Sequence, residues 1–158
     1  MKIDFLKKRV FWRIAWLVSL LLWLAFIFSN SLTPAESSKN QSDGVVKVIE
    51  ETVRKVDPDF TISPKLVRKL AHFFEFFVLG ILVSLYPLLW QTESKIHLYR
   101  TLFLGMTTAL FDETLQLASP GRGSLVSDVW LDFSAIVSAI IVYSLIHFVI
   151  NRKKLSKL

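Results

Sequence analysis

Apolar residues form four long runs along the chain, separated by polar segments. The runs cover residues 10–28, 70–90, 98–118 and 129–150. About 20 mainly apolar residues are enough for a helix to cross a bilayer. The stretches LVSLLLWLAFIF and SAIIVYSLIHFVI also lack the polar face that a helix of a water-soluble bundle shows at every turn. The pattern therefore predicts an all-α, polytopic membrane bundle with four transmembrane helices.

A polar segment, residues 29–68, separates the first two runs. Its first part, SLTPAESSKNQS, is rich in turn-forming residues and predicts an irregular stretch. Apolar residues then recur at near-helical spacing among charged ones, at Val45, Val46, Val48, Ile49, Val53 and Val56. This spacing predicts a short amphipathic helix that lies on the outer membrane surface or caps the bundle. Ser63 and Pro64 predict the start of the second transmembrane helix, and residues 1–158 are treated as one membrane domain.

The distribution of charge predicts the orientation. The formal net charge is +6, and basic residues cluster at both ends, in KIDFLKKR and NRKKLSKL. Because cytoplasmic flanks carry the excess of Lys and Arg, both termini are predicted to be cytoplasmic and segment 29–68 extracytoplasmic. That segment also contains Lys and Arg, so the assignment depends on the two basic ends. Membrane topology explains these clusters better than nucleic-acid binding, which we exclude.

Two further features limit the class of protein. The first apolar run is longer than the core of a signal peptide and has no nearby cleavage site, so it is interpreted as a retained helix. The chain has no cysteine, which excludes disulfides, thiolate catalysis and cysteine-ligated metals.

Polar and ionisable residues interrupt the outer ends of the last three runs. With the predicted topology they all fall in one leaflet: Lys69, His72, Glu75, Asp112, Glu113, Gln116, Arg122, Asp128 and Asp132. Spacings of three and four residues place many of them on single helix faces. Ionisable groups in lipid are costly, so they turn inward and pair or line a wet cavity. The sequence therefore predicts a polar pocket in the outer leaflet.

Structural interpretations of individual residues remain open. The position of Lys69 is also typical of a lysine that extends its amine to the membrane interface. The position of Asp128 is also typical of a helix N-cap. Arg122 could serve only to neutralise carboxylates. We assign no role to His97, expected in a cytoplasmic loop, or to His147, near the inner end of the last span.

Two packing features are also predicted. Pro87 is expected to kink the second span near its inner end. The pairs Ser134 with Ser138 and Ala135 with Ala139 have the small-xxx-small spacing that allows close helix contact.

Three stretches resemble the VanZ-like family of membrane proteins: FSNSLTPAESSKNQS, RKLAHFFEFFVLG and DETLQLASPGRGSLVSDVWLDFSAIVSA. The family pattern has a polar Ser-rich stretch, K-x-x-H-x-x-E-[YF], D-E-x-x-Q, an outer Arg and D-x-x-x-[ND], which match the nine polar residues above. Phe76 stands where Tyr is frequent, and the region around Ser134 is often richer in glycine. The family is named for a protein associated with teicoplanin resistance. The resemblance therefore implies a role in the bacterial cell envelope or in glycopeptide resistance.

Three functions are compatible with these observations. The first is a non-catalytic protein of the cell membrane that binds or shields a lipid-linked cell-wall precursor or another lipid-linked envelope component, with membrane lipids as further partners. The second is an intramembrane enzyme acting on a phospholipid or prenyl-phosphate-linked substrate, with His72 as base or nucleophile and carboxylates able to hold Mg²⁺ or zinc. The third is a protein that acts by contacting membrane partners, with a polar set that is only structural. We assign no cofactor, and the metal, the oligomeric state and a direct interaction with a glycopeptide stay open.

Overall fold

The residues that the structure describes form six helices. The computed structural model describes residues 2–90 and 94–155, and the side chains of residues 8–90 and 96–152. The helices are α1 (Lys2–Ser31), α2 (Ala35–Val53), α3 (Pro64–Ser84), α4 (Tyr86–Trp90), α5 (Ser94–Gln116) and α6 (Val126–Leu155). These ranges contain no strand, which confirms the all-α prediction.

Among the described residues, three stretches are long and apolar enough to cross a membrane: Lys8–Ser31, Pro64–Trp90 and Val126–Arg152. Helix α5 corresponds to the predicted third span. It is long enough, but threonines, a glycine and charged residues at both ends make it less apolar. The structure therefore supports three spans directly, and a fourth stays a prediction. The middle of the expected cytoplasmic loop, residues 91–93, and residues 156–158 lie outside the described residues.

The second span begins and breaks where the sequence predicts. Ser63 caps α3, since its hydroxyl accepts the N–H of Leu66 at 3.1 Å, and Pro64 follows at the first helical position. The helix ends at Leu85, two residues before Pro87, and continues as the short helix α4. Proline has no N–H to donate to the carbonyl four residues earlier, and its ring clashes with that carbonyl, so the helix breaks within the turn before Pro87.

Helix α2 corrects one prediction. The turn-rich interpretation of SLTPAESSKNQS is wrong from its fifth residue onward, because α2 begins at Ala35. Pro34 precedes the helix and its carbonyl accepts the N–H of Ser38 at 3.0 Å. A helix is present as predicted, but its buried residues are Ser38 and Ser42, while Val45 and Val48 are exposed. The serine face of α2, which packs against α3, is therefore the buried one.

Helices α3 and α6 form the most extensive contact in the bundle. Ala135 and Ala139 are fully buried there, and a Cβ placed on Gly80 would lie 2.7 Å from the Cβ of Ala139. The alanine pair thus packs as its spacing predicts. The serine pair does not, because the Ser134 and Ser138 hydroxyls bond to carbonyls of their own helix.

One end of the bundle, called the polar end here, collects the C-termini of α1 and α5 and the N-termini of α3 and α6. The link between α5 and α6, residues 117–125, folds over it. The Ser119 hydroxyl donates to the Leu32 carbonyl at 3.1 Å, and the Ala35 N–H donates to the Pro120 carbonyl at 3.1 Å. This short link makes α5 and α6 antiparallel neighbours and fixes where its own polar residues lie.

Candidate functional site

A cavity of about 180 Å³ lies at the polar end, between α3, α5, α6 and the 117–125 link. We call it the polar cavity. Seven of the nine predicted residues line it: Lys69, His72, Glu113, Gln116, Arg122, Asp128 and Asp132. They reach it from three helices and one link, so residues far apart in the sequence meet here.

The other two predicted residues, Glu75 and Asp112, lie close by. Glu75 lines an adjoining cavity of about 200 Å³, which shares His72 and Arg122 with the polar cavity. Asp112 is fully buried, and its carboxylate accepts a short hydrogen bond from the Ser31 hydroxyl at the end of α1. All nine residues therefore gather at the polar end, in two layers.

Lys69 and Asp128 form an ion pair at the cavity, with Nζ and Oδ1 2.7 Å apart. Asp128 lies inside the first turn of α6 and not at its N-cap, so the capping interpretation is wrong. The Lys69 amine points to a carboxylate within the protein, unlike that of a lysine that only reaches for the membrane interface.

Glu113 and Gln116 stabilise the link and the start of α6. One carboxylate oxygen of Glu113 accepts the backbone N–H of Leu125, immediately before α6, at 2.9 Å. The Gln116 amide donates to Glu113 at 3.0 Å and to Asp112 at 3.1 Å. These contacts satisfy a helix-terminal N–H and fix the two carboxylates.

Arg122 binds the backbone carbonyls at the C-terminal end of α1. Its Nη1 donates to the carbonyls of Asn30 and Ser31, both at 2.9 Å, where a helix has unpaired acceptors. Burial, followed by the nearby Arg68 guanidinium, lowers the pKa of Arg122 from its usual value. A guanidinium keeps its charge in proteins, so Arg122 brings a fixed positive charge to both cavities.

Buried carboxylate oxygens without partners lie beneath the cavity. Asp132 is 1% exposed, and neither of its carboxylate oxygens has a hydrogen-bond partner in the described part of the chain. Glu75 accepts from the Asn30 amide at 2.7 Å through one oxygen, while its other oxygen is unpartnered. Donor atoms of His72, Asp112 and Asp132 all lie within 4.8 Å of one another, so these three residues could hold a metal ion.

Four residues at the polar end were not among the predicted set. Lys65 and Arg68 line the polar cavity, while Asn30 and Ser31 bond to Glu75 and Asp112. Asn30 and Ser31 belong to the Ser-rich stretch that carries the family resemblance, which was the available signal. Lys65 and Arg68 precede the apolar run, so the sequence alone placed them in the surface segment.

The other two histidines lie at the opposite end. His97 was expected in a loop, but it is buried within α5, where it stacks on Tyr86 with ring centroids 5.8 Å apart. Helix α5 begins at Ser94 and so includes that residue. His147 is exposed near the end of α6, and both histidines line a cavity of about 580 Å³.

Residues 16–147 match the family described as VanZ/LLP1. The match covers most of the chain. Neither the curated proteins nor the solved structures contain a match.

Proposed function

Because this chain belongs to the VanZ/LLP1 family, we propose that it is a bacterial cell-membrane protein that binds the phosphate group of a lipid-linked envelope component in its polar cavity. In this proposal α5 is a fourth crossing, both termini are cytoplasmic, and the polar cavity opens to the outer leaflet. The observation that carries the proposal is the group of basic side chains at the cavity.

Two of those side chains have no acidic partner. Among the residues that the structure describes, no carboxylate lies within 4.0 Å of Lys65 or Arg68. Both lie in the first turns of α3, where the helix dipole is positive and the first turn contains no acidic residue. Cations at a helix N-terminus repel the dipole, and a bound anion relieves this repulsion.

A phosphate suits this arrangement better than a carboxylate does. Arg68 and Arg122 both line the polar cavity and are close enough for their charges to affect each other. Two guanidiniums can bind different oxygens of one phosphate through charge-assisted hydrogen bonds.

Apolar residues beside the cavity can hold a hydrocarbon chain. Leu125 lines the cavity and is 54% exposed, and Val126 next to it is 74% exposed. On α3, Leu66 and Leu70 are also about half exposed. A phosphate bound between these surfaces would leave its acyl or prenyl chain among lipid tails.

The family resemblance suggests what such binding achieves. Holding or shielding a lipid-linked cell-wall precursor in the outer leaflet would reduce its access to a glycopeptide such as teicoplanin. The proposed role in resistance follows from this effect.

Binding can be measured on the purified protein in nanodiscs, with undecaprenyl phosphate as ligand and undecaprenol as its uncharged counterpart. We expect binding of the phosphate and not of the alcohol. Hydrogen bonds to charged groups contribute about 1.5–3 kcal/mol, so Arg68→Ala should weaken affinity roughly tenfold or more. Lys65→Ala should act in the same direction.

Lys47→Ala is the matched control, because it removes one positive charge from an exposed position on α2. It should leave the affinity unchanged. Equal binding of the phosphate and the alcohol, or equal losses in Arg68→Ala and Lys47→Ala, would contradict a phosphate site in the cavity.

One observation favours the enzyme as a second function. His72 lines the polar cavity together with Asp132, whose buried carboxylate lacks a partner. A base at this place could activate water toward a bound phosphate ester. Release of phosphate from undecaprenyl phosphates by wild-type protein, lost in His72→Ala, supports this function, and no release under binding conditions rejects it.

A further inference from the structure

The region beneath the polar cavity holds buried carboxyl groups that the described part of the chain does not pair with basic side chains. Asp132 is 1% exposed and Asp112 is fully buried. In the described part of the chain, no Lys or Arg nitrogen lies within 4.0 Å of either carboxylate. Burying a charged group is costly unless it is paired or coordinates a metal.

Two of the nearby cations are already engaged, and among the described residues the other two, Lys65 and Arg68, do not lie within 4.0 Å of either carboxylate. The Lys69 amine pairs with Asp128 at 2.7 Å, and Arg122 donates through Nη1 to two carbonyls of α1. Asp112 accepts from Ser31 and Gln116, which are neutral. Among the described residues, Asp132 has no hydrogen-bond partner, so a positive ligand beside its carboxylate would be favourable.

His72 supplies a nitrogen donor at the same place. It comes from α3, Asp112 from α5 and Asp132 from α6, and one donor atom of each lies within 4.8 Å of the other two. We propose that His72, Asp112 and Asp132 form a binding site for a divalent transition-metal ion, with zinc as the preferred ion.

The donor set favours zinc over the harder cations. Zinc accepts imidazole nitrogen together with carboxylate oxygen, and open sites use three protein ligands and leave a fourth position free. Calcium takes six to eight oxygen ligands, and magnesium is held mainly by oxygen and water. With bonds of about 2.0 Å, tetrahedral donors lie roughly 3.3 Å apart, so the three side chains need to move inward by only about an ångström.

Neighbouring contacts orient these ligands. Gln116 and Ser31 each hold one oxygen of Asp112, and hydrogen bonds of this kind fix metal-ligating carboxylates in other proteins. His72 and Asp132 also line the polar cavity, so the free position of the metal faces it. Water or a phosphate oxygen would occupy that position.

The test uses metal alone and does not depend on the proposed lipid function. Full-length protein, purified in detergent without chelators, is analysed for bound metals by mass spectrometry. It is then stripped and titrated with zinc, manganese, magnesium and calcium. We expect one zinc ion per chain, and at least tenfold weaker binding in His72→Ala and Asp132→Asn.

Two control variants separate a coordinated site from general attraction to acidic protein. His147→Ala removes an exposed histidine, and Asp57→Asn removes an exposed carboxylate. Both should keep full zinc binding. Zinc binding that persists in His72→Ala and Asp132→Asn, or that falls equally in the controls, would overturn the proposal.

Thermal unfolding shows whether each variant is folded and whether zinc stabilises it. Zinc at 100 times its dissociation constant should stabilise the wild type by about 2.7 kcal/mol and so raise its Tm. Folded Asp132→Asn should show at most about half of this stabilisation at the same zinc concentration. Its own Tm without metal should not fall, because a buried carboxyl group without a partner is removed. A wild-type Tm that no divalent ion changes would refute the site, whereas failed binding of undecaprenyl phosphate would affect only the proposed function.

Discussion

The Lys69 amine donates to the Asp128 carboxylate at 2.7 Å, and this ion pair joins the N-terminal parts of α3 and α6 beside the polar cavity. The two side chains are 34% and 27% exposed. Water and ions partly screen such a pair, so its contribution to stability is about 0–1 kcal/mol. Its main effect is to hold the positions of two cavity-lining side chains.

Reversing the charge of Lys69 should therefore matter more than removing it. We expect Lys69→Ala to change Tm little, whereas Lys69→Glu faces Asp128 with a like charge and lowers Tm. The double variant Lys69→Glu with Asp128→Lys should recover most of the loss, measured by thermal unfolding in detergent. A double variant whose loss equals the sum of the two single losses would show that the pair is not coupled.

Gly80 is a second sensitive position, because α3 and α6 lie close together there. A Cβ on Gly80 would lie 2.7 Å from the Ala139 Cβ and 3.1 Å from the Ile136 Cα. Backbone cannot move away easily, so Gly80→Ala should cost about 1–3 kcal/mol through overpacking. The measurement is again thermal unfolding.

Gly44 supplies the matched control. It lies within α2, and a Cβ there would meet nothing within 4 Å. Gly44→Ala should be neutral or stabilising by about 0.5–1 kcal/mol, because alanine is the better helix former. If Gly80→Ala lowers Tm no more than Gly44→Ala does, α3 and α6 do not pack as closely at Gly80 as described.

Glu113 should be needed for the stability of the α5–α6 link. Glu113→Ala leaves the part-buried N–H of Leu125 without its carboxylate acceptor, at a cost of about 1–3 kcal/mol. Glu51→Ala, at an exposed position of α2, should have little effect. Limited proteolysis of residues 117–125 provides a second measurement: cleavage should rise only in Glu113→Ala, and equal cleavage in both variants would argue against this role.

Cysteine labelling tests the orientation and the fourth crossing, since the chain has no cysteine of its own. Gly123→Cys, in the exposed link, should react with an impermeant thiol reagent on intact cells. Thr92→Cys and Asn151→Cys should react only after permeabilisation. Labelling of Thr92→Cys and Gly123→Cys from the same side would mean that α5 does not cross. A fully reversed pattern would place the polar cavity on the cytoplasmic side.

The sequence predicted much of this architecture because its strongest signals are local. Residues 10–28, 70–90 and 129–150 lie within α1, α3–α4 and α6, since long apolar runs favour helices that cross a membrane. The Ser63 cap and the break before Pro87 also depend on neighbouring residues alone. The bounds of each apolar run show which end of its helix a polar residue occupies. From these bounds the sequence predicted that the nine polar residues lie at one end of the bundle.

Only the tertiary structure decided what each polar residue does there. Asp112 and Glu113 are adjacent in sequence, yet one bonds to Ser31 beneath the cavity and the other holds the N–H of Leu125. Helical spacing gives the direction of a side chain but not the group that another helix places opposite it. For the same reason the sequence left Arg68 in a surface segment and gave no sign that Asp132 would be buried without a partner. Such contacts join residues far apart in the chain, and they exist only once the helices have packed.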